Sequence, residues 1–207
     1  MPMLDLAAFR AAPLVTNPFP HLVLPRFIRP EAFGGLLADY PQLDKTGSFP
    51  VDSVAYGPQF NKLIEELNGP EMCEAFEKKF GLELADRPTV MTVRGRCCEK
   101  DGRIHTDTES KIITVLIYMN PRWEQGGGRL RLLRSATDLE QVLVEVPPEE
   151  GTLVAFRRTD NSYHGHKQFV GERRVIQFNW VTTQSSMRWH VFRHRLSAAA
   201  KQFNPFA

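Results

Sequence analysis

The stretch DGRIHTDTESKIITVLIYMN, residues 101–120, joins two kinds of chain. DGRIHTDTESK is polar; IITVLIY is an unbroken, largely β-branched run. A short apolar run next to turn signals reads as a buried strand. This reading decides the fold, because the pattern recurs on both sides. Strand-like runs cover Thr89–Cys97, Ile112–Met119, Gly128–Leu133, Val142–Val146, Gly151–Phe156 and Arg174–Thr182, with KDG, EQGGG, VPPEEG and VGE as turns between them. Many short strands punctuated in this way predict an antiparallel sandwich or barrel.

The first part of the chain is different. NPFPHLVLPRFIRP contains a short strand, His21–Leu24, which Pro25 stops. Helices are expected over Pro30–Tyr40, Phe60–Leu67 and Pro70–Phe80; in the last of these Met72, Phe76 and Phe80 form an apolar stripe. A basic helix is expected over Met187–Gln202. The whole is mainly β with N-terminal helices and one core: a helical part over about residues 1–87, a β core over about 88–183 and a C-terminal helix over about 187–202.

Bulk properties narrow the function. With 207 residues, 42% hydrophobic and 24% charged, this is an ordinary globular composition. A net charge of +2 gives no general argument for nucleic acid or an anionic membrane as partner. No apolar run approaches the roughly 20 residues of a membrane span, and MPMLDLAAFRAAPL lacks the basic start and long apolar core of a signal peptide. Three cysteines, Cys97 and Cys98 adjacent, fit a reducing cytoplasm better than a disulfide framework.

Two polar clusters carry chemistry. On an extended segment His105 and Asp107, two apart, present an imidazole and a carboxylate to one side. NSYHGHKQFVGERRVIQFNW, residues 161–180, adds His164, His166, Arg173 and Arg174. Two histidines and one carboxylate form the facial triad of non-haem Fe(II), and zinc accepts the same donors. Alternation puts Arg173, Val175, Gln177 and Asn179 on one face of the last strand, and Arg174, Ile176, Phe178 and Trp180 on the other, apolar face. Arg173 therefore points inward, where a guanidinium can hold a carboxylate through paired hydrogen bonds. Tyr118 can add a hydroxyl. Arg94 and Arg96, two apart before the metal motif, are expected to share a face and to favour an anionic substrate if that face is internal.

The combination HTD (105–107), IYMN (117–120) followed by Trp123, GGGRLRL (126–132), GTLVAF (151–156), YHGH (163–166) and ERRVIQFNW (172–180) resembles the 2-oxoglutarate/Fe(II)-dependent dioxygenases, in their prolyl-4-hydroxylase-like branch. The likeness spans roughly residues 18–183. It implies a double-stranded β-helix, a jelly-roll, cupin-like barrel. It implies Fe(II) on His105, Asp107 and His164, with 2-oxoglutarate and O₂ as co-substrates. Arg173 and Tyr118 would take the distal carboxylate of 2-oxoglutarate, and Leu130 would line its pocket. His164 fits as the distal ligand because Arg173 follows it by nine residues (173 − 164), the branch's approximate spacing; His166 is left as a substrate-facing group, with Gln177 and Asn179 beside it. One departure is the TVRGRCC segment, where many relatives carry a tyrosine. The expected reaction hydroxylates a small molecule or peptide side chain and releases succinate and CO₂. A cupin-like metal protein of another activity and a non-catalytic ligand-binding barrel are the competing readings.

Overall fold

The computed structural model describes residues 1–203, with side-chain surroundings up to Arg193 and for Leu196. Strands β1 (His21–Leu24), β2 (Phe49–Pro50), β3 (Thr89–Cys97), β4 (Lys111–Tyr118), β7 (Leu153–Arg157) and β9 (Gly171–Val181) form one sheet in the order β1-β7-β4-β9-β3-β2. Strands β5 (Leu130–Leu133), β6 (Val142–Val146) and β8 (His164–His166) form a second, ordered β6-β5-β8. Every pairing is antiparallel. An isolated antiparallel bridge, His105 to His164, adds the segment before β4 to the open edge of the small sheet.

The β-branched run in β4 is explained by burial on both faces. Ile113, Val115 and Ile117 face one core; Leu116 and Tyr118 face the other. Helices α1 (Leu6–Ala11), α2 (Pro30–Asp39), α3 (Pro58–Leu67) and α4 (Pro70–Phe80) contribute to the first core. There Phe76 from α4 packs on Trp180 from β9, ring centroids 4.9 Å apart. Burying such aromatics removes 150–250 Å² each from water, so helices and large sheet are held mainly by apolar area. The second core, built on Phe19, Tyr118, Leu130, Leu132, Phe156 and Val175, lies between the two sheets. The sheets thus face each other as the expected jelly roll, with the helices outside.

Most expected elements are present, with shifted ends. The run assigned to Arg174–Thr182 begins at Gly171, and that assigned to Gly128–Leu133 begins at Leu130. Helix α1 and strands β2 and β8 were not anticipated. α1 has six residues and β8 three, too short for periodicity to register. The C-terminal helix α5, Gln184–Phe203, packs on β2, β3 and β9. It is more than a solvated basic helix, because His190 within it is buried. Among the described residues no helix is long and apolar enough to cross a membrane.

Candidate functional site

Backbone topology brings the two polar clusters together. The segment 102–105 crosses β8 in close contact: His166 N–H donates to Gly102 O (3.0 Å), His105 N–H to His164 O (3.0 Å) and His164 N–H to His105 O (2.9 Å). Gly165 sits at this crossing, where a Cβ would lie 2.8 Å from Gly102 O. Gly102 has φ +91° and its own Cβ would meet His166 at 2.5 Å. Both positions need glycine for the crossing to be this close.

As a result one ligand atom each from His105, Asp107 and His164 lie within 4.8 Å of one another. Each histidine is oriented from behind. Nδ1 of His105 contacts Arg103 O at 2.9 Å, and Nδ1 of His164 contacts Ser162 O at 3.0 Å. A carbonyl only accepts, so Nδ1 carries the hydrogen and Nε2 is left with its lone pair. That is the tautomer a metal requires, with the outer hydrogen bond that fixes such rings. Asp107 accepts from Lys111 Nζ at 2.7 Å and from the Thr114 hydroxyl. The Asn179 amide lies 3.1 Å from the same hydroxyl. Neither Lys111 nor Thr114 was singled out in the sequence. A lysine and a threonine at a strand start carry no distinctive spacing, although Lys111 follows Asp107 by four residues (111 − 107).

The electrostatics are consistent with a cation site. Burial pushes the Asp107 carboxyl up, but Lys111, His164 and the hydrogen bonds from Lys111 and Thr114 outweigh it and hold the group well below the usual carboxylate range. His164 is lowered to about 4, chiefly by burial and against the attraction of Asp107. His166 is also lowered to about 4, by burial and by Arg173. At neutral pH Asp107 is therefore an ionised carboxylate, and His164 and His166 are neutral imidazoles.

These shifts predict acid sensitivity of the metal-free protein. An unfolded histidine takes up a proton near pH 6.5, whereas folded His164 and His166 resist protonation until about 4. Between those values the unfolded state binds more protons, so stability falls as pH falls, by up to about 1.4 kcal/mol per pH unit for each proton. Asp107 adds its own loss only below the normal carboxylate range. Urea unfolding in chelator should show midpoints declining from pH 6.5 to 4.5. A flat profile would contradict the burial of neutral imidazoles.

Arg173 lies on the same inner wall. It is 5% exposed and donates from Nε to Gly128 O (2.7 Å), with its NH2 group 3.4 Å from the Tyr118 hydroxyl. Its guanidinium sits over the Tyr118 ring, 5.2 Å from the centroid. Among the described residues no carboxylate lies within ion-pairing distance of it, whereas Arg94, Arg131 and Arg174 are each ion-paired. A buried cation without an anion is costly, so this arrangement is suited to an anionic ligand. Burial raises the Tyr118 hydroxyl against the opposing pull of Arg173, so it stays protonated and able to donate.

A cavity of about 190 Å³ joins Arg173 to the His105–Asp107–His164 cluster, with His166, Leu130 and Gln177 also in its wall; Tyr118, fully buried, is not part of that wall and reaches it only through Arg173. Asn179 lines an adjoining cavity instead. Arg94 and Arg96 do not behave as a pair, which corrects the shared-face expectation. Arg94 reaches the cavity wall, where it is ion-paired to Asp101 at 2.7 Å. Arg96 is exposed and stands opposite Glu172. The reason is a bulge: β3 pairs Arg94 with Val175 but Arg96 with Glu172, so Arg173 and Arg174 both oppose Gly95. A bulge adds local twist and re-aims side chains; here the strand edge beyond it leaves the cavity. The Tyr40 hydroxyl, which contacts Arg94 O (2.8 Å) and Val175 O (3.0 Å), clamps the two strands just before the irregularity.

Comparison with known proteins agrees with this geometry. The family profile described as the 2OG-Fe(II) oxygenase superfamily matches residues 95–182. Among solved structures, a prolyl-4-hydroxylase from Pseudomonas putida aligns with TM-score 0.56 and 16% identity, over 78% of this chain and 92% of its own. An oxidoreductase of the 2OG-Fe(II) oxygenase family from Burkholderia pseudomallei aligns with TM-score 0.55 and 13% identity, over 86% and 90% of the two chains. HygX from Streptomyces hygroscopicus, solved with nickel and 2-oxoglutarate bound, aligns with TM-score 0.52 and 12% identity, over 79% and 82%. At these identities the likeness is one of fold. No curated protein sequence matches.

Proposed function

We propose that this chain is a member of the 2OG-Fe(II) oxygenase superfamily, whose profile matches residues 95–182, and that it couples oxidative decarboxylation of 2-oxoglutarate to O₂-dependent hydroxylation of a second, small-molecule or peptide substrate. In this reading His105, Asp107 and His164 hold a single Fe(II). Arg173 and Tyr118 hold the distal carboxylate of 2-oxoglutarate, and Leu130 supplies an apolar wall to its pocket.

The observation that carries the proposal is Arg173. A zinc protein with the same donors has no use for a buried, unpaired guanidinium in the cavity beside the metal cluster. A dicarboxylic co-substrate does, because one carboxylate can meet the guanidinium while the other end reaches the metal. The donor set also fits the ion. Two imidazoles and one carboxylate on one face suit Fe(II) and leave the remainder of an octahedral shell open.

The residues then divide the work. Arg103 O and Ser162 O hold the two imidazoles in one tautomer. Lys111 and Thr114 fix the Asp107 carboxylate. Gly128 O holds the Arg173 side chain from behind, leaving its remaining donors for the ligand. Leu116 and Leu130 supply apolar wall to the cavity beside the cluster. When bound, the iron supplies the O₂ activation that converts 2-oxoglutarate to succinate and CO₂ and oxidises a substrate C–H bond.

Succinate release tests the proposal. Purified protein supplied with Fe(II) and 2-oxoglutarate under air should form succinate, stop on chelation and recover with Fe(II) rather than Zn(II). Metal binding without 2-oxoglutarate binding or turnover would instead favour another metal-dependent activity on the same barrel.

A further inference from the structure

A second cavity, about 210 Å³, also borders the cluster, at His105 and Asp107. It shares His105, Asp107 and Gln177 with the first. The remainder of its wall includes Lys111, Asn179 and two residues of helix α5, His190 and Arg193. Arg173 opens only onto the first cavity, so His105 and Asp107 border two chambers. If the Arg173 chamber takes the co-substrate, the one beneath α5 is free for the molecule to be oxidised.

The charge of this chamber is one-sided. Lys111 is nearly buried, its side chain 11% exposed. Arg193 lies exposed at the rim. His190 is 3% exposed, with Nε2 held 2.8 Å from the Ser110 hydroxyl, which fastens α5 over the cavity. Among the described residues Asp107 is the only acid lining it. In this structure that carboxylate is matched by Lys111. A divalent cation would draw on the same single negative charge, leaving the Lys111 and Arg193 charges in excess. The volume is below the roughly 300–1,000 Å³ of pockets for drug-sized ligands, and α5 limits access by a long chain.

We propose that the chamber beneath α5 is the primary-substrate site and that Lys111 and Arg193 select a small, carboxylate-bearing molecule of about amino-acid size. This rests on the co-substrate assignment above. In it Arg193 at the rim and Lys111 within bind and orient the carboxylate, so that a C–H bond of the same molecule is turned toward the cluster. Asn179 and Gln177 offer neutral hydrogen bonds to the remaining polar groups.

The test uses oxygen-free protein loaded with Fe(II) and 2-oxoglutarate. Calorimetric titration is run with the twenty proteinogenic L-amino acids and C2–C6 carboxylic acids, each also as its primary amide. At least one acid should bind, and its amide should bind at least tenfold more weakly. Arg193→Glu should weaken that acid at least tenfold and close the gap to the amide; Arg193→Lys should retain much of the preference. In turnover the charge reversal should appear in KM and leave kcat largely intact. Equal binding of acid and amide, or no binding by any acid of the panel, overturns the substrate assignment while leaving the co-substrate reading intact. Failure of the protein to load Fe(II) and 2-oxoglutarate in the first step overturns both.

Discussion

Arg173→Ala will bind Fe(II) close to normally and 2-oxoglutarate at least about 30-fold more weakly. The first half follows from position: Arg173 touches Gly128 O and the Tyr118 hydroxyl, and neither supports the metal cluster. The second follows from burial. Truncating one member of a buried, hydrogen-bonded charge pair costs about 2–5 kcal/mol, and the lower bound is already a factor of about 30. Much of that cost is the ligand carboxylate left in a poorly solvated cavity. Arg173→Lys tests geometry against charge. An ammonium keeps the charge but cannot hold Gly128 O through Nε while presenting two further parallel donors, so affinity should recover only in part. Arg174→Ala is the control. Its side chain lies on the other face of β9, ion-paired to Glu172 and over the Tyr40 ring at 6.0 Å. Calorimetric titration of 2-oxoglutarate into the three metal-loaded variants reads all of this. Wild-type affinity in Arg173→Ala would remove the co-substrate assignment, and with it the main argument against a zinc protein.

Arg173 also shows what the sequence makes legible. Its strand is long, and strict alternation separates Arg173, Val175, Gln177 and Asn179 from Ile176, Phe178 and Trp180. That division appears in the structure as cavity against helix-facing core. The β4 run was legible for the same reason, since burial on both faces leaves an unmistakable apolar string. Arg94 and Arg96 fail because period-two counting assumes an unbroken ladder. The bulge that breaks it is on the partner strand, at Arg173 and Arg174, and has no local signature in TVRGRCC. Lys111, Thr114 and His190 were missed for another reason. They act through contacts set by tertiary packing: four and seven residues along the chain from Asp107 for the first two, and across to Ser110 for the third. The cavity beneath α5 is likewise invisible in a helix that, taken alone, is only basic and weakly patterned.

His164 and His166 separate in the last prediction, where alternation alone could not choose. They stand on the same face of β8, pairing with Leu132 and Leu130 respectively. Their surroundings differ. The His164 ring packs on that of His105, with centroids 4.3 Å apart, and its backbone exchanges both hydrogen bonds with His105. It therefore moves as one unit with the His105–Asp107 segment. His166 turns its Nδ1 to Lys167 O at 2.9 Å and packs beside Gly102, within the field of Arg173. Among the described residues the three donors that converge are His105, Asp107 and His164, and His166 is not among them. His164→Ala should thus lose Fe(II) binding by at least about two orders of magnitude, beyond the 10–100-fold typical of altering a partner behind a ligand, and should lose 2-oxoglutarate consumption with it. His166→Ala should keep the metal within about tenfold by the same comparison, and should change turnover through the cavity wall it leaves open. Equilibrium Fe(II) titration and succinate release, run on both variants after circular dichroism has established folding, distinguish the outcomes. Loss of metal from His166→Ala with retention by His164→Ala would mean that the ligand register along β8 is displaced by one side-chain repeat, and that Arg173 faces the metal rather than the far end of a co-substrate.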